Sequence, residues 1–297
     1  MQNLLEELNP EQKKAVENTE GPCLVIAGAG SGKTKVLTYK IAYLMQEKKV
    51  KPWNILAITF TNKAANEMKE RVQKLVGEAT NDIWLGTFHS ICVRILRKFI
   101  DRLGFDTSFV IFDTSDQKTL IKNCLKELNI DNKLFTEKSV LAEISNAKND
   151  MLEPTQYCHK YEGEYRKEII GKVYTLYQKR LKENNAVDFD DIINFTIKIL
   201  TDNPDVLEYY SEKFRYILVD EYQDTNKAQF TLVSILASRY GNVTAVGDND
   251  QGIYGFRGAD ISNILNFEKD FPGTKIIKLE QNYRCTGNIL KAANAVI

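Results

Sequence analysis

Histidine is almost missing from this sequence: among 297 residues only His89 and His159 carry an imidazole, which excludes a histidine-built metal centre. Cysteine is sparse as well. Cys23, Cys92, Cys124, Cys158 and Cys285 are odd in number and far apart, so they make neither a disulfide framework nor zinc pairs and are expected as free thiols. No apolar run approaches the roughly 20 residues of a membrane span, and the opening MQNLLEELNPEQ lacks the basic and then apolar profile of a secretory signal. No membrane partner is expected, and a cytoplasmic location is. Net charge is missing too, since 40 Lys and Arg balance 40 Asp and Glu. Bulk electrostatics therefore makes no case for nucleic acid, and any such partner has to be read from local chemistry. Internal repeats and low-complexity linkers are also absent.

What is present is ordinary globular material, 43% hydrophobic and 27% charged, with length for about two domains. Short apolar runs alternate with amphipathic stretches, the pattern of a parallel α/β sheet flanked by helices. The expected strands are 23–27, 55–60, 83–86, 216–220, 242–246 and 275–280. Phe88, Ile91, Cys92, Ile95, Leu96, Phe99, Ile100 and Leu103 keep the i, i+3, i+4, i+7 rhythm of a helix with a core face. Between about 114 and 200 the alternation gives way to helical patterns with lysine-rich faces, which predicts a helical insertion.

The strongest local signal is AGAGSGKT at 27–34, after an apolar strand and opening a helix. Gly28, Gly30 and Gly32 let the backbone wrap a phosphate. The amides of Ala29, Gly30, Ser31 and Gly32 face inward, with the helix start adding positive potential. Lys33 neutralises β and γ phosphates, Thr34 offers a hydroxyl to Mg²⁺, and Lys35, next in the first turn, is expected among the nucleotide-binding residues. Ala27 stands where the general pattern has its first glycine. A second acidic signal, DEYQD, follows the apolar run YILV: Asp220 is suited to the metal and Glu221 to the attacking water. Asp224, ahead of TNKAQF, reads as a helix N-cap. Together these point to a nucleoside triphosphate hydrolase with Mg²⁺ as its metal, a core shared by many unrelated machines.

Three further strand exits mix aromatic with polar residues: Phe60, Thr61 and Asn62; GTFHS at 86–90; and VGDNDQGIYGFRGAD at 246–260 with Tyr254 and Phe256. On one sheet edge they suit a surface where bases stack and phosphates are held. The ordered series LNPEQKKAV, AGAGSGKT, TFTNKAANEM, GTFHS, VDFDD, VDEYQD, VGDNDQGIYGFRGAD and QNYR resembles the N-terminal part of superfamily 1 DNA helicases of the UvrD, Rep and PcrA group, over nearly the whole chain. Lys35, Gly255 and Phe256 depart from that group's usual residues.

The resemblance implies a RecA-like P-loop motor at 1–110 and 188–281, an all-helical insertion at 111–187, and the start of a second motor domain at 282–297. It assigns Gln12 to the adenine edge, Tyr283 to the adenine face, Gln251 to sensing the γ-phosphate, and Arg257 and Arg284 to the γ-phosphate. Phe60, Asn62, Thr87, His89, Tyr254 and Phe256 would line a single-stranded DNA path. The implied protein is a monomeric ATP-dependent helicase, 3′ to 5′, acting on single-strand/duplex junctions in repair or replication. The sequence ends inside the amphipathic stretch NILKAANAVI, so a C-terminal motor domain is expected beyond it and little unwinding from this chain alone. The alternatives are the motor of a helicase-nuclease subunit and a nucleotide-dependent DNA-binding module without hydrolysis.

Overall fold

The computed structural model describes residues 4–248 and 260–287. In chain order the elements are α1 (Pro10–Glu17), β1 (Cys23–Ala27), α2 (Lys33–Gln46), β2 (Ile55–Thr59), α3 (Asn62–Val76), β3 (Trp84–Thr87) and α4 (Phe88–Phe99). They continue through β4 (Val110–Ile111), α5 (Thr114–Glu127), α6 (Glu137–Asn149), α7 (Pro154–Lys160), α8 (Tyr165–Glu183), β5 (Ala186–Val187), α9 (Phe189–Asp202) and α10 (Pro204–Lys213). The last are β6 (Tyr216–Val219), α11 (Lys227–Ala237), β7 (Val243–Gly247), α12 (Ser262–Leu265), α13 (Phe267–Asp270) and β8 (Lys275–Leu279). Each of the six expected strands forms, within about one residue of its expected ends. Two compact units result, one of Met1–Phe88, Glu208–Thr225 and Val233–Ile297, the other of His89–Leu207 and Asn226–Leu232.

The first unit holds a six-stranded sheet in the order β3-β2-β6-β7-β1-β8, with parallel pairing throughout. Strands covered on both faces read as continuous apolar runs rather than alternations, and β2 and β7 are buried at every position. Val36, Leu37, Ile41 and Leu44 of α2 pack with Val25, Ala57 and Leu218 of the sheet in one core. Because the strands run the same way, all six end on one edge, where the loops of an open α/β sheet bind their ligands.

The second unit is helical, apart from a two-residue parallel pairing of β4 with β5. Its core gathers Ile121, Leu125, Val140, Ile144, Val173, Tyr177 and Leu181. Most of the face expected on α4 is buried, Ile91, Cys92, Ile95 and Leu96 at 1% exposure or less, and the helix tightens to a 3₁₀ turn at Ile100–Leu103. In VDFDD, Asp188 caps α9 by accepting the Asp191 N–H at 2.9 Å. The Lys148 ammonium, buried in the same unit, donates to Asp188 Oδ2 at 2.6 Å and Asp191 Oδ1 at 2.7 Å. One cation between two buried carboxylates leaves an excess negative charge. Burial, then the charge of Asp188, pushes Asp191 up to about 7, while burial opposes and the two carboxylates favour the charged form of Lys148, which is held above its ordinary range.

Two outcomes follow for unfolding experiments. Lys148→Met leaves both carboxylates buried without a cation and is expected to cost about 3 to 5 kcal/mol, read from denaturant unfolding. An acid whose pKa is higher folded than unfolded keeps a proton that the unfolded chain has released, so stability falls as pH rises from the ordinary 3.8 to about 7. The melting temperature should therefore drop less between pH 5 and 8 in Asp191→Asn than in the parent; equal slopes would remove Asp191 as the titrating group.

Candidate functional site

The loop after β1 turns through two left-handed glycines, Gly30 at φ 78° and Gly32 at φ 92°. Ser31 closes it, its hydroxyl donating to the Gly28 carbonyl at 2.7 Å and its amide to the same oxygen at 3.2 Å. Gly32 is the N-cap of α2 and offers no side-chain cap, so the first amides of the helix stay available to an anion. Lys33, the first helical residue, reaches across to the exit of β6, where its ammonium donates to Glu221 Oε2 at 2.8 Å. Thr34 is half-buried. Lys35 donates to the Glu7 carbonyl at 2.6 Å instead of facing the loop.

At the exit of β6, Asp220 is 5% exposed. Its amide donates to the Ile58 carbonyl at 3.0 Å, and its Oδ1 accepts the Glu221 N–H at 3.0 Å. Burial, then the charge of Glu221, pushes Asp220 up to about 6, against a pull from Lys33 and Arg71. A bound cation would reverse that push. Glu221 itself stands in the left-handed region at φ 48° and ψ 44°, a conformation non-glycine residues adopt where surrounding structure holds them. Asp224 lies in the same turn and is pushed up to about 6 by burial and then by Glu221. The cap of α11 is not Asp224. Asn226 Oδ1 accepts the Gln229 N–H at 2.9 Å and Gln229 Oε1 the Asn226 N–H at 3.1 Å, a reciprocal box one turn ahead of the apolar run.

The exit of β8 folds back over the β1 loop. The Tyr283 amide donates to the Gly30 carbonyl at 2.8 Å, and Asn282 donates its side-chain N–H to the Ala29 carbonyl. The Asn282 oxygen accepts the amides of Arg284 and Cys285, each at 2.8 Å. A Cβ on Gly30 would come within 2.5 Å of Arg284 Cβ, so glycine there permits the approach. The phenol of Tyr283, a residue 57% exposed, accepts from Asn9 Nδ2 at 2.8 Å. Gln12 is buried, its side chain engaged with the Asn9 amide at 3.2 Å and the Ser31 carbonyl at 3.0 Å.

The β1, β6 and β8 exits therefore bring Gln12, Ala29, Gly30, Ser31, Gly32, Lys33, Tyr283 and Arg284 together, and the Lys33 contact adds Glu221, beside Asp220. Of the expected DNA residues, Phe60 is half-buried with its ring 5.5 Å from Phe88, Asn62 is exposed, and Thr87 is buried. In the helical unit the His89 ring lies 5.3 Å from that of Phe189, which is 50% exposed. Burial pushes His89 down, opposed by a hydrogen bond with the Phe189 backbone. Gln251, Tyr254, Phe256 and Arg257 lie outside the described residues. Sequence reading passed over Asn9, Gln223 and Asn282, whose importance is in contacts across up to 274 positions of chain; only Asn9, as a helix cap ahead of Pro10, carried a local signal.

The UvrD/REP helicase N-terminal domain family matches residues 8–272. The ATP-dependent DNA helicase PcrA of Bacillus subtilis (strain 168) is 58% identical over 294 residues, 99% of this chain and 40% of that protein. The PcrA helicase of Staphylococcus aureus (strain Mu50) is 57% identical over 297 residues, and that of Staphylococcus epidermidis (strain ATCC 35984) 56%. The chain thus spans about 40% of the length of these relatives.

The latch at β8 has a direct check. Asn282→Ala removes the acceptor of two amides and the donor to Ala29, so Arg284 and Cys285 should lose protection in amide hydrogen exchange by roughly tenfold, about the worth of one or two hydrogen bonds. Unchanged protection would mean that the Tyr283–Gly30 backbone bond alone holds the segment.

Proposed function

This chain belongs to the UvrD/REP helicase family, and on that premise we propose that it binds ATP with Mg²⁺ and is the motor part of an ATP-dependent DNA helicase, translocating 3′ to 5′ on single-stranded DNA and opening duplex at junctions in repair or replication. The motor is proposed at 1–110 and 188–281 and its insertion at 111–187, a range that falls within the helical unit. Unwinding is proposed for a polypeptide of the relatives' length, of which this chain spans about 40%. No helix among the described residues is long and apolar enough to cross a membrane.

The observation that carries the proposal is the 2.8 Å contact between Lys33 and Glu221 at the edge where strand exits converge. In the proposed site the loop amides and Lys33 hold the phosphates, and Glu221 orients the attacking water and takes its proton on a carboxylate oxygen. Asp220 and Thr34 are suited to hold Mg²⁺, a hard cation that typically takes one or two carboxylates and completes its shell with water and phosphate. When bound, the ion neutralises phosphate charge. Tyr283 and Gln12 are assigned to the adenine, and Gln251, Arg257 and Arg284 to the γ-phosphate. Phe60, Asn62, Thr87, His89, Tyr254 and Phe256 are assigned to the single strand.

Lys33→Ala is expected to abolish binding of a fluorescent ATP analogue, whereas Glu221→Gln should bind it normally and hydrolyse ATP at least about 100-fold more slowly. Normal hydrolysis by Glu221→Gln would remove the base from the scheme. For DNA, Phe60→Ala should weaken single-strand binding by roughly 5- to 100-fold, the worth of one stacked base, with nucleotide affinity unchanged. Equal DNA affinity would leave Phe60 as a packing partner of Phe88.

A further inference from the structure

Gln223 follows the proposed base by two positions, in the 3₁₀ turn Tyr222–Asp224, and is 2% exposed. A buried amide has to satisfy both of its ends. Its Oε1 accepts the Asp248 N–H at 3.0 Å. That donor is backbone and can only pair with the oxygen end, so the orientation of the amide is settled by chemistry. Nε2 is thereby turned toward the carboxylates, donating to Glu221 Oε2 at 3.0 Å, with Asp224 Oδ2 at 3.4 Å.

The approach of this side chain to β7 depends on a missing Cβ. An added Cβ on Gly247 would lie 2.8 Å from Gln223 Oε1, 3.3 Å from the Gln223 amide nitrogen and 2.7 Å from Ile264 Cδ1. Glycine at the last position of β7 thus makes room for the amide. On the far side of the stretch 249–259 the chain returns to the same turn, the Asp260 amide donating to the Thr225 carbonyl at 2.9 Å. Asn263 Nδ2 donates to that carbonyl at 2.9 Å as well. Both flanks of the stretch are therefore tied to the turn that carries Glu221.

Lys33 and Gln223 donate to the same oxygen of Glu221, at 2.8 and 3.0 Å. They differ in what else they can do. A phosphate in the β1 loop competes for the Lys33 ammonium, whereas the Gln223 amide is committed on its other end to Asp248 and has no freedom to follow. We infer that Gln223 is the positioning residue of Glu221: it holds the carboxylate in place when Lys33 turns to phosphate, and it fixes that place relative to the exit of β7. The inference rests on the reading of Glu221 as the base.

The test is a double-mutant cycle on ATP hydrolysis in the intact protein, using Gln223→Met, Glu221→Gln and the pair. Methionine keeps the length and volume of the side chain and removes all three of its hydrogen bonds. Gln223→Met is expected to lower kcat by roughly 10- to 100-fold, the usual effect of removing a group that orients a reacting one, with KM and nucleotide affinity within about twofold. In the Glu221→Gln background the same substitution should cost nothing further, because it acts through a carboxylate that is no longer there. A kcat within about twofold of the parent, or a loss that adds in full to that of Glu221→Gln, overturns the inference. If Glu221→Gln alone hydrolyses normally, the reading of the base fails instead, so the two failures are separable. Gly247→Ala supplies the result should Gln223→Met not fold: it leaves the amide intact but displaces it, and it should lower kcat in the parent and not in Glu221→Gln.

Discussion

A 2.8 Å contact between the Lys33 ammonium and a Glu221 carboxylate oxygen joins two strand exits that are 188 positions apart in the chain. It exists because the sheet is parallel. In the order β3-β2-β6-β7-β1-β8 only β7 separates β1 from β6, so the loop that begins α2 and the turn that carries the acids leave the sheet at the same edge, one strand's width apart on each side. A connection reversed in direction would send one of them to the opposite edge, some 15 Å or more away across strands of this length. The site is thus a consequence of topology first and of residue identity second.

Within that constraint the local chemistry is tightly spent. Glu221 is held in a left-handed conformation at φ 48°, a placement that costs an L-residue of order 1 kcal/mol. Three bonds oppose that cost: Asp220 Oδ1 on its amide at 3.0 Å, the Asp224 amide on its carbonyl at 2.9 Å, and Gln223 on its side chain at 3.0 Å. Glycines serve the same end by absence. Gly30 admits the Arg284 backbone segment, and Gly32 admits the Gln12 amide, whose Nε2 would lie 2.6 Å from an added Cβ. A nucleotide entering the proposed site would meet a cradle whose walls are already bonded to one another, and its phosphates would have to compete with Glu221 for Lys33.

Much of the fold is legible in the sequence. Continuous apolar runs such as CLVIA and YILV mark buried parallel strands because both of their faces are covered, and the glycines and Lys33 mark a candidate phosphate loop because glycine lets a backbone wrap closely around an anion. Asp220 and Glu221 stand out by following a strand. Gln223 and Asn282 do not, and Asn9 does so only as a helix cap ahead of Pro10. Their side chains look like ordinary polar loop residues, and what distinguishes them is a partner brought close only by the sheet: Asp248 for Gln223, Ala29 for Asn282, Tyr283 for Asn9. Asp224 was misread as a helix cap because an acid before TNKAQF fits the pattern, whereas the Asn226–Gln229 pair two residues later fits it better, with both halves of the box bonded. The ion cluster of Lys148 with Asp188 and Asp191 was invisible for the same reason as Gln223, its members lying 40 and 43 positions apart.

The distance from Lys33 Nζ to Glu221 Oε2 in a crystal structure of the intact protein with Mg²⁺ and a non-hydrolysable ATP analogue tests the account most directly. In the proposed site the 2.8 Å contact is then broken, Lys33 sits about 2.7 to 2.9 Å from a β or γ phosphate oxygen, and Glu221 stays bonded to Gln223. An intact Lys33–Glu221 pair with the phosphates bound elsewhere would contradict it.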